Sequence, residues 1–336
     1  MKIPGLKLAL AFSLAAGLTV PTYAQMGQQG GNQARPGTLN YVEGQASIDG
    51  RQVSASSVGM AALAEGQYIS TANGKVEILL TPGVFLRLDN NSMVKMISPN
   101  LTHTEVELQR GRASVEADQL YPQNTILIDQ KGGQTQLLKN GLYEFNADKN
   151  TVRTFDGKAA VYPGDSLVSK VKPIDVKGGR QLALNGEPLK PKGFDKDHSE
   201  SQDDLYRWSS LRSQYLGEAN IDLAAQYAGY GPGFGGFNPG WYWDSSLYAY
   251  DWLPGGGPFW SPFGFGFYSP YYLYGGGFVY GRGFFGRGYG FRGGYGFSGA
   301  RSAGFAGRSV GGGGFGGGGF GGGGFHGGGG GGGGHR

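Results

Sequence analysis

The residues with chemistry to offer are scattered along the chain. Four histidines, His103, His198, His326 and His335, stand far apart, and none sits in an H-x-H, H-E-x-x-H or G-x-S-x-G neighbourhood. There is no cysteine, which excludes a thiol nucleophile, a thiolate metal site and a disulfide. Without a histidine base beside a nucleophile, most hydrolytic mechanisms lose their usual parts. A carboxylate pair for glycoside hydrolysis leaves little trace in a sequence, and nothing singles one out. The reading is a non-enzyme with no catalytic residue and no cofactor.

The densest acidic stretch, DKDHSESQDD, holds Asp195, Asp197, Glu200, Asp203 and Asp204. Calcium loops combine spaced carboxylates with a tight glycine turn and a bidentate Glu; here the glycine and the spaced Glu are missing. The stretch reads as a solvated linker ending in a helix cap at Asp203 or Asp204. His326 and His335, with eight glycines between them, offer too few ligands for a selective transition-metal site. No metal site is expected.

Aromatic side chains are the richer candidates. From Gly229 to Arg336 the chain holds 30 of its 45 aromatics and 45 glycines, with six Arg, two Asp and no Lys. Rings with one polar edge bury well at interfaces and stack on sugar faces, which marks Trp241, Tyr242, Trp243, Trp252 and Trp260 as contacts for an envelope protein or a polysaccharide. The competing reading is that part of 241–280 folds back over the preceding domain as a cover. Further on, Arg282, Arg287 and Arg292 in YGRGFFGRGYGFRGGYGF look like an RGG box, with arginine for phosphate and aromatics for base stacking. Six Arg against two Asp drives counterion release only weakly, and an exported chain does not meet RNA. Nucleic acid is not the expected partner.

These groups need a frame. The N-terminus has Lys2 and Lys7, an apolar run from Leu8 to Val20, then Thr22-Tyr23-Ala24 before Gln25, the pattern of a secretory signal peptide. A run of thirteen residues falls short of the ~20 that span a bilayer, so cleavage near Gln25 and export to the periplasm or cell surface are expected. Residues 25–37 read as a flexible leader, and 38–190 as an all-β domain.

The clearest strands lie in GKVEILLTPGVFLRLDNNSMVKM, where Val76, Ile78 and Leu80, then Val84, Leu86 and Leu88, alternate across a Pro82-Gly83 turn. Such alternation between Pro-Gly and Asx turns marks hairpins. A motif recurs in VEGQASI (42–48), QRGRASV (109–115) and FDGKAAV (155–161), which predicts stacked β units in an irregular sandwich or a solenoid-like stack. Past the linker, Leu205, Trp208, Leu211, Tyr215, Ala219 and Leu223 fall at steps of three and four. They predict one amphipathic helix of about 20–24 residues within 191–228, stopped by Gly229. A Gly/Tyr/Trp/Phe-rich segment follows at 229–297. The remainder, 298–336, is almost wholly glycine with isolated Phe, and is expected to be a long disordered tail.

The stretch ALAEGQYISTANGKVEILLTPGVFLRLDNNSMVKMISPNLTHTEVELQRGRASVEA resembles the FecR domain. It carries a glycine-headed edge, a Thr-x-x-Gly step, a strand hairpin, an Asn-Ser turn and a closing L-x-x-G-x-A-x-V. The resemblance covers 40–118 and at most extends to 162. It implies an extracytoplasmic, non-catalytic module of the kind found in transmembrane regulators that signal to a sigma factor. A cleavable signal in place of a cytoplasmic segment and transmembrane helix departs from that pattern. The expected function is therefore binding or scaffolding at the envelope, with an accessory role in FecR-type sensing as the alternative.

Overall fold

The computed structural model describes residues 34–164, 172–228 and 237–274. The signal peptide, most of the leader, the arginines of the RGG-like stretch, His326, His335 and the glycine tail lie outside the described residues.

Fifteen strands come first: β1 (Leu39–Ile48), β2 (Arg51–Val53), β3 (Tyr68–Leu79), β4 (Val84–Leu88), β5 (Met93–Asn100), β6 (His103–Arg110), β7 (Arg112–Ala117) and β8 (Thr125–Gln130), then β9 (Gly133–Leu137), β10 (Gly141–Asn146), β11 (Thr151–Thr154), β12 (Lys158–Pro163), β13 (Ile174–Lys177), β14 (Arg180–Ala183) and β15 (Lys192–Gly193). Helices α1 (Lys196–Gln202) and α2 (Asp204–Ala228) follow. Two short hairpins, β16 (Gly240–Asp244) with β17 (Ala249–Leu253) and β18 (Phe259–Trp260) with β19 (Gly266–Phe267), and a helical turn α3 (Pro270–Tyr274) end the described chain.

The longest strand, β3, organises the rest. β1 runs along one of its edges. Its other edge is divided: Tyr68–Ser70 pair with β5, and Val76–Leu79 pair with β4. From these halves grow two arms, β5-β6-β8-β9-β12-β13 and β4-β7-β10-β11-β14-β15. Pairing is antiparallel except between β6 and β8. After β5 and β6 the chain changes arm, and from β8 onward it does so every two strands. One core forms between the arms, with Val94, Val106, Ile126 and Val161 from the first and Leu86, Val115, Phe145 and Val152 from the second. This is a sandwich made by one sheet folded on itself, not a solenoid.

Two of the three copies of the glycine motif mark crossings, while Gly44 of the first lies inside β1, opposite Gly74 at a bulge. Gly111 takes the chain from β6 to β7, and Gly157 from β11 to β12, each a passage from one arm to the other. Both have positive φ, 76° and 93°, and a Cβ on them would strike the Ser92 side chain and the Tyr143 hydroxyl respectively. Gly157→Ala is therefore expected to cost at least about 1–3 kcal/mol from backbone conformation alone, read as a lower urea midpoint with unchanged slope. An unchanged midpoint would refute the crossing role.

The outer face of the second arm is covered by a third layer. α2 begins as expected, with Asp203 Oδ1 accepting from the Tyr206 N–H at 3.2 Å, and runs 25 residues. The polar linker before it is not wholly irregular: α1 forms, with the Asp195 carboxylate capping the His198 N–H at 2.9 Å. The buried face of α2 also differs from the expected apolar stripe. Leu205, Ser209, Arg212, Ser213, Leu216, Asn220 and Leu223 are buried, while Leu211 and Tyr215 are 44% and 46% exposed. The helix is turned toward its polar row because the sheet surface beneath it is charged.

Candidate functional site

Alternation sends Val76, Leu86 and Val115 into the core, and it sends Glu77, Arg87 and Glu116 to the opposite side of the same three strands. Glu77 lies directly across from Arg87, and Phe85 across from Glu116. All three ionic side chains are fully buried, so their charges are met by one another and by the third layer. Arg87 Nε donates to Glu77 Oε2 at 2.7 Å, and Nη1 donates to Glu116 Oε2. Asn40 Nδ2 and Arg212 Nη2 donate to Glu77 Oε1 at 2.9 and 3.1 Å. Ser213 Oγ, from α2, donates to Glu116 Oε1 at 2.6 Å.

Two further acids lie in this seat. Asp118 and Asp251 are buried, and burial first, then the negative charges around them, lifts both carboxyls well above their usual range. Burial opposes ionisation at Glu77 as well, but Arg212 and Arg87 outweigh it and hold Glu77 down at about 2. With Asp118 and Asp251 protonated, two carboxylates balance two guanidinium groups.

On this seat rests the aromatic layer. Asn40 joins it to β1, donating to Tyr250 O at 2.9 Å and accepting from Tyr250 N at 2.7 Å. Asn220 of α2 donates to Trp252 O at 2.8 Å and accepts from Tyr268 N at 2.6 Å. Leu79, Phe85, Leu216, Tyr250, Trp252 and Phe267 form a second core between sheet, helix and hairpins. Three of the flagged aromatics are largely committed to this packing. Trp252 is 0% exposed and closed to any ligand. Trp241 meets the Phe85 ring edge-on at 5.0 Å, and Trp243 packs against Tyr250 and over Gly59. Tyr242 is half-buried, and Trp260 is 64% exposed. The cover reading therefore holds for much of 237–274, with a surface left over.

That surface is clearest near the end of α2, where Tyr227, Phe237, Tyr242 and Tyr271 form a ladder. Tyr227 meets Tyr242 at 4.6 Å, Phe237 stacks on Tyr242 at 5.4 Å, and Phe237 meets Tyr271 at 5.6 Å. The hydroxyls of Tyr242 and Tyr271 donate to the carbonyls of Asn238 and Phe237, which fixes both rings. Burial lifts the Tyr242 phenol to about 12, so it stays a neutral donor. Of this ladder the sequence flagged only Tyr242; Tyr227 looked like the tail of a helix, and the other two like part of a repetitive tract. The ion network was also missed, although charged residues at alternate positions of two adjacent apolar strands were its signal.

The remaining candidates are dispersed. His103 pairs with Glu105 at 3.0 Å on an exposed strand end, and His198 lies in α1. Asp203 binds Arg112, and Asp204 binds Lys75 at 2.7 Å, so the acidic stretch fastens α2 to the sheet. Among the described residues no three His, Asp or Glu side chains group to hold a metal ion, and no helix is long and apolar enough to cross a membrane.

Fold and site together define an all-β sandwich with a helix-and-hairpin layer locked to one face. No family model matches the chain, and no curated protein matches it. Two crystal structures described as a "putative anti-sigma factor" from Parabacteroides distasonis ATCC 8503 are similar to part of it. One is 15% identical over 40% of this chain, the other 13% over 44%; each match covers 64% of the other chain with a TM-score of 0.33. The match thus spans less than two thirds of either structure.

Proposed function

We propose that this is an exported, non-catalytic binding or scaffold protein of the bacterial envelope, and that the ring ladder is the face it offers to an envelope polysaccharide. The observation that carries this is the ladder itself: four rings in contact, two of them pinned by their hydroxyls, on a layer anchored by buried ion pairs. Rings already held in place lose little freedom when a ligand stacks on them, and their apolar faces and polar edges suit the C–H and O–H surfaces of sugars. The N-terminal export pattern and the FecR-like residues 40–118 support an extracytoplasmic setting.

Co-sedimentation with peptidoglycan sacculi and with purified exopolysaccharide tests this. The double variant Tyr242→Ala/Tyr271→Ala is expected to lose at least about tenfold in affinity, while Trp260→Ala, outside the ladder, leaves it unchanged. Equal pelleting of the double variant and the parent overturns the polysaccharide reading, as does crosslinking through the ladder to envelope proteins alone. The sensing alternative rests on the resemblance, and predicts that deleting the gene alters transporter-linked transcription.

A further inference from the structure

α2 has a second face with a pattern of its own. Away from the buried row, Arg207, Leu211, Tyr215, Glu218 and Asp222 fall within about 80° of one another at 3.6 residues per turn, and all five are exposed. Trp208 and Ala219, half-buried, flank them on one side. The Trp208 indole donates to Glu43 at 3.0 Å and its ring meets Tyr41 at 6.1 Å, which holds it in place. The apolar residues thus form one continuous strip and are not scattered singly. Read along the helix, the order is base, apolar middle, acid.

Within the chain this order has no evident use. Arg207 lies in the first turn, where a cation opposes the helix dipole, and the acid one turn before it, Asp204, is bound by Lys75 at 2.7 Å. Among the described residues neither Arg207 nor Asp222 makes an ion pair, and Glu218 accepts from Gln214 Nε2 at 2.7 Å. Two opposite charges therefore stand unmatched at the two ends of an exposed apolar strip.

We propose that this strip is the contact between two copies of the chain, with α2 packed antiparallel on α2 about a two-fold axis level with residues 213 and 214. Turning the helix about that level sets Arg207 of each copy beside Glu218 and Asp222 of the other, Leu211 against Tyr215, and Trp208 against Ala219. Each pair obeys the rule of a two-fold contact, that if one residue meets another the reverse also holds. A parallel pairing would instead put Arg207 on Arg207 and acid on acid, which repels. The strip is about 22 Å long from Arg207 to Asp222 at 1.5 Å per residue. A single pair of helices buries less than a standard interface, so the association is weak and reversible. The ring ladder takes no part in the contact; Tyr242→Ala/Tyr271→Ala leaves self-association unchanged, and the dimer and the polysaccharide reading fail separately.

The test is analytical ultracentrifugation of the full chain from about 1 µM to 1 mM. The expected result is a monomer–dimer equilibrium that weakens with added salt. Arg207→Glu alone, and Glu218→Arg/Asp222→Arg together, should each lower self-affinity at least about tenfold, because each sets like charges against one another. Mixed in equal amounts, the two variants should form dimers again, since every charge pair across the axis is then opposite in sign. The substitutions are at exposed positions, and circular dichroism matching the parent shows that the variants are folded. Direction is read separately, because the chain has no cysteine. Tyr215→Cys, close to the axis, should form a disulfide between copies; Gln226→Cys, exposed on the same helix but about 40 Å from its mate, should not. The proposal is overturned if the full chain stays monomeric at about 1 mM, if both charge variants associate as the parent does, if the mixture gains nothing over the separate variants, or if Tyr215→Cys crosslinks no more readily than Gln226→Cys.

Discussion

Arg87→Ala is expected to destabilise the fold by about 3–5 kcal/mol, the usual result of removing one partner from a buried ion pair. The reason is what stays behind. Glu77 and Glu116 both lose their main donor at fully buried positions, and Arg212 and Asn40 can serve only Glu77. The network also ties three layers together, since Glu77 and Arg87 belong to the sheet, Arg212 and Ser213 to α2, and Asn40 holds the hairpin through Tyr250. Loss should therefore appear as one cooperative transition at lower urea, with Trp252 fluorescence and far-ultraviolet circular dichroism moving together. If the hairpin layer came away at low urea with the sandwich intact, the network would be a local clasp and not a common seat. A second variant separates charge from shape: Arg87→Met keeps much of the stem packed against Phe85, whose ring lies 5.4 Å from the guanidinium carbon, but removes the donors. A loss for Arg87→Met nearly as large as for Arg87→Ala is the outcome expected of an electrostatic seat, and a loss below about 1 kcal/mol would rule that seat out.

The strands were legible because each rests on short-range pattern. Val76, Ile78 and Leu80 alternate, Pro82-Gly83 turns the chain, and the observed β3 and β4 end and begin at that turn. The start of the helix was legible for the same reason, since Asp203 caps it; Gly229, its expected stop, lies outside the described residues. Its orientation was not. Leu211 and Tyr215 look like core residues in a one-dimensional count, and Arg212 and Ser213 look solvated, until Glu77 and Glu116 are placed opposite them. A polar seat is a pairing between positions far apart in sequence, such as Glu77 and Arg212, and no periodicity in one segment reveals it. The aromatic segment shows the same limit. Its composition marked Trp252 and Trp260 alike, yet one fills a core and the other stands in solvent, because only the first lies over Gly83 and between Phe259 and Phe267. The glycine echo worked in the other direction: it was read as a stacking unit, and two of its three copies, at Gly111 and Gly157, are crossings between arms, while Gly44 sits at a bulge within β1.

Folding stability is expected to peak in mild acid and to fall on both sides. Glu77 has its folded pKa lowered from 4.5 to about 2, so its contribution is complete above 4.5 and is lost as pH falls through 2. Asp118 and Asp251 have theirs raised from 3.8; their contribution is complete below 3.8 and is lost as pH rises through the folded values. On the alkaline side the native state then holds protons that the unfolded chain has released, and each such proton costs about 1.4 kcal/mol per pH unit. Asp129, raised to about 7, and Glu144, also raised by burial, add to the same limb. Most proteins are steadiest between about pH 5 and 8; here two fully buried acids move the optimum lower. Asp251→Asn isolates the cause, because the amide keeps an oxygen for the Trp252 N–H, which Asp251 Oδ1 accepts at 2.7 Å, and cannot ionise. Urea midpoints measured from pH 4 to 8 should fall more gently in Asp251→Asn than in the parent, by about 1.4 kcal/mol per pH unit over the range where the parent's Asp251 stays protonated in the native state alone. Parallel curves for the two proteins would mean that Asp251 is ionised in the native state, and the charge balance of two carboxylates against Arg87 and Arg212 would then be wrong.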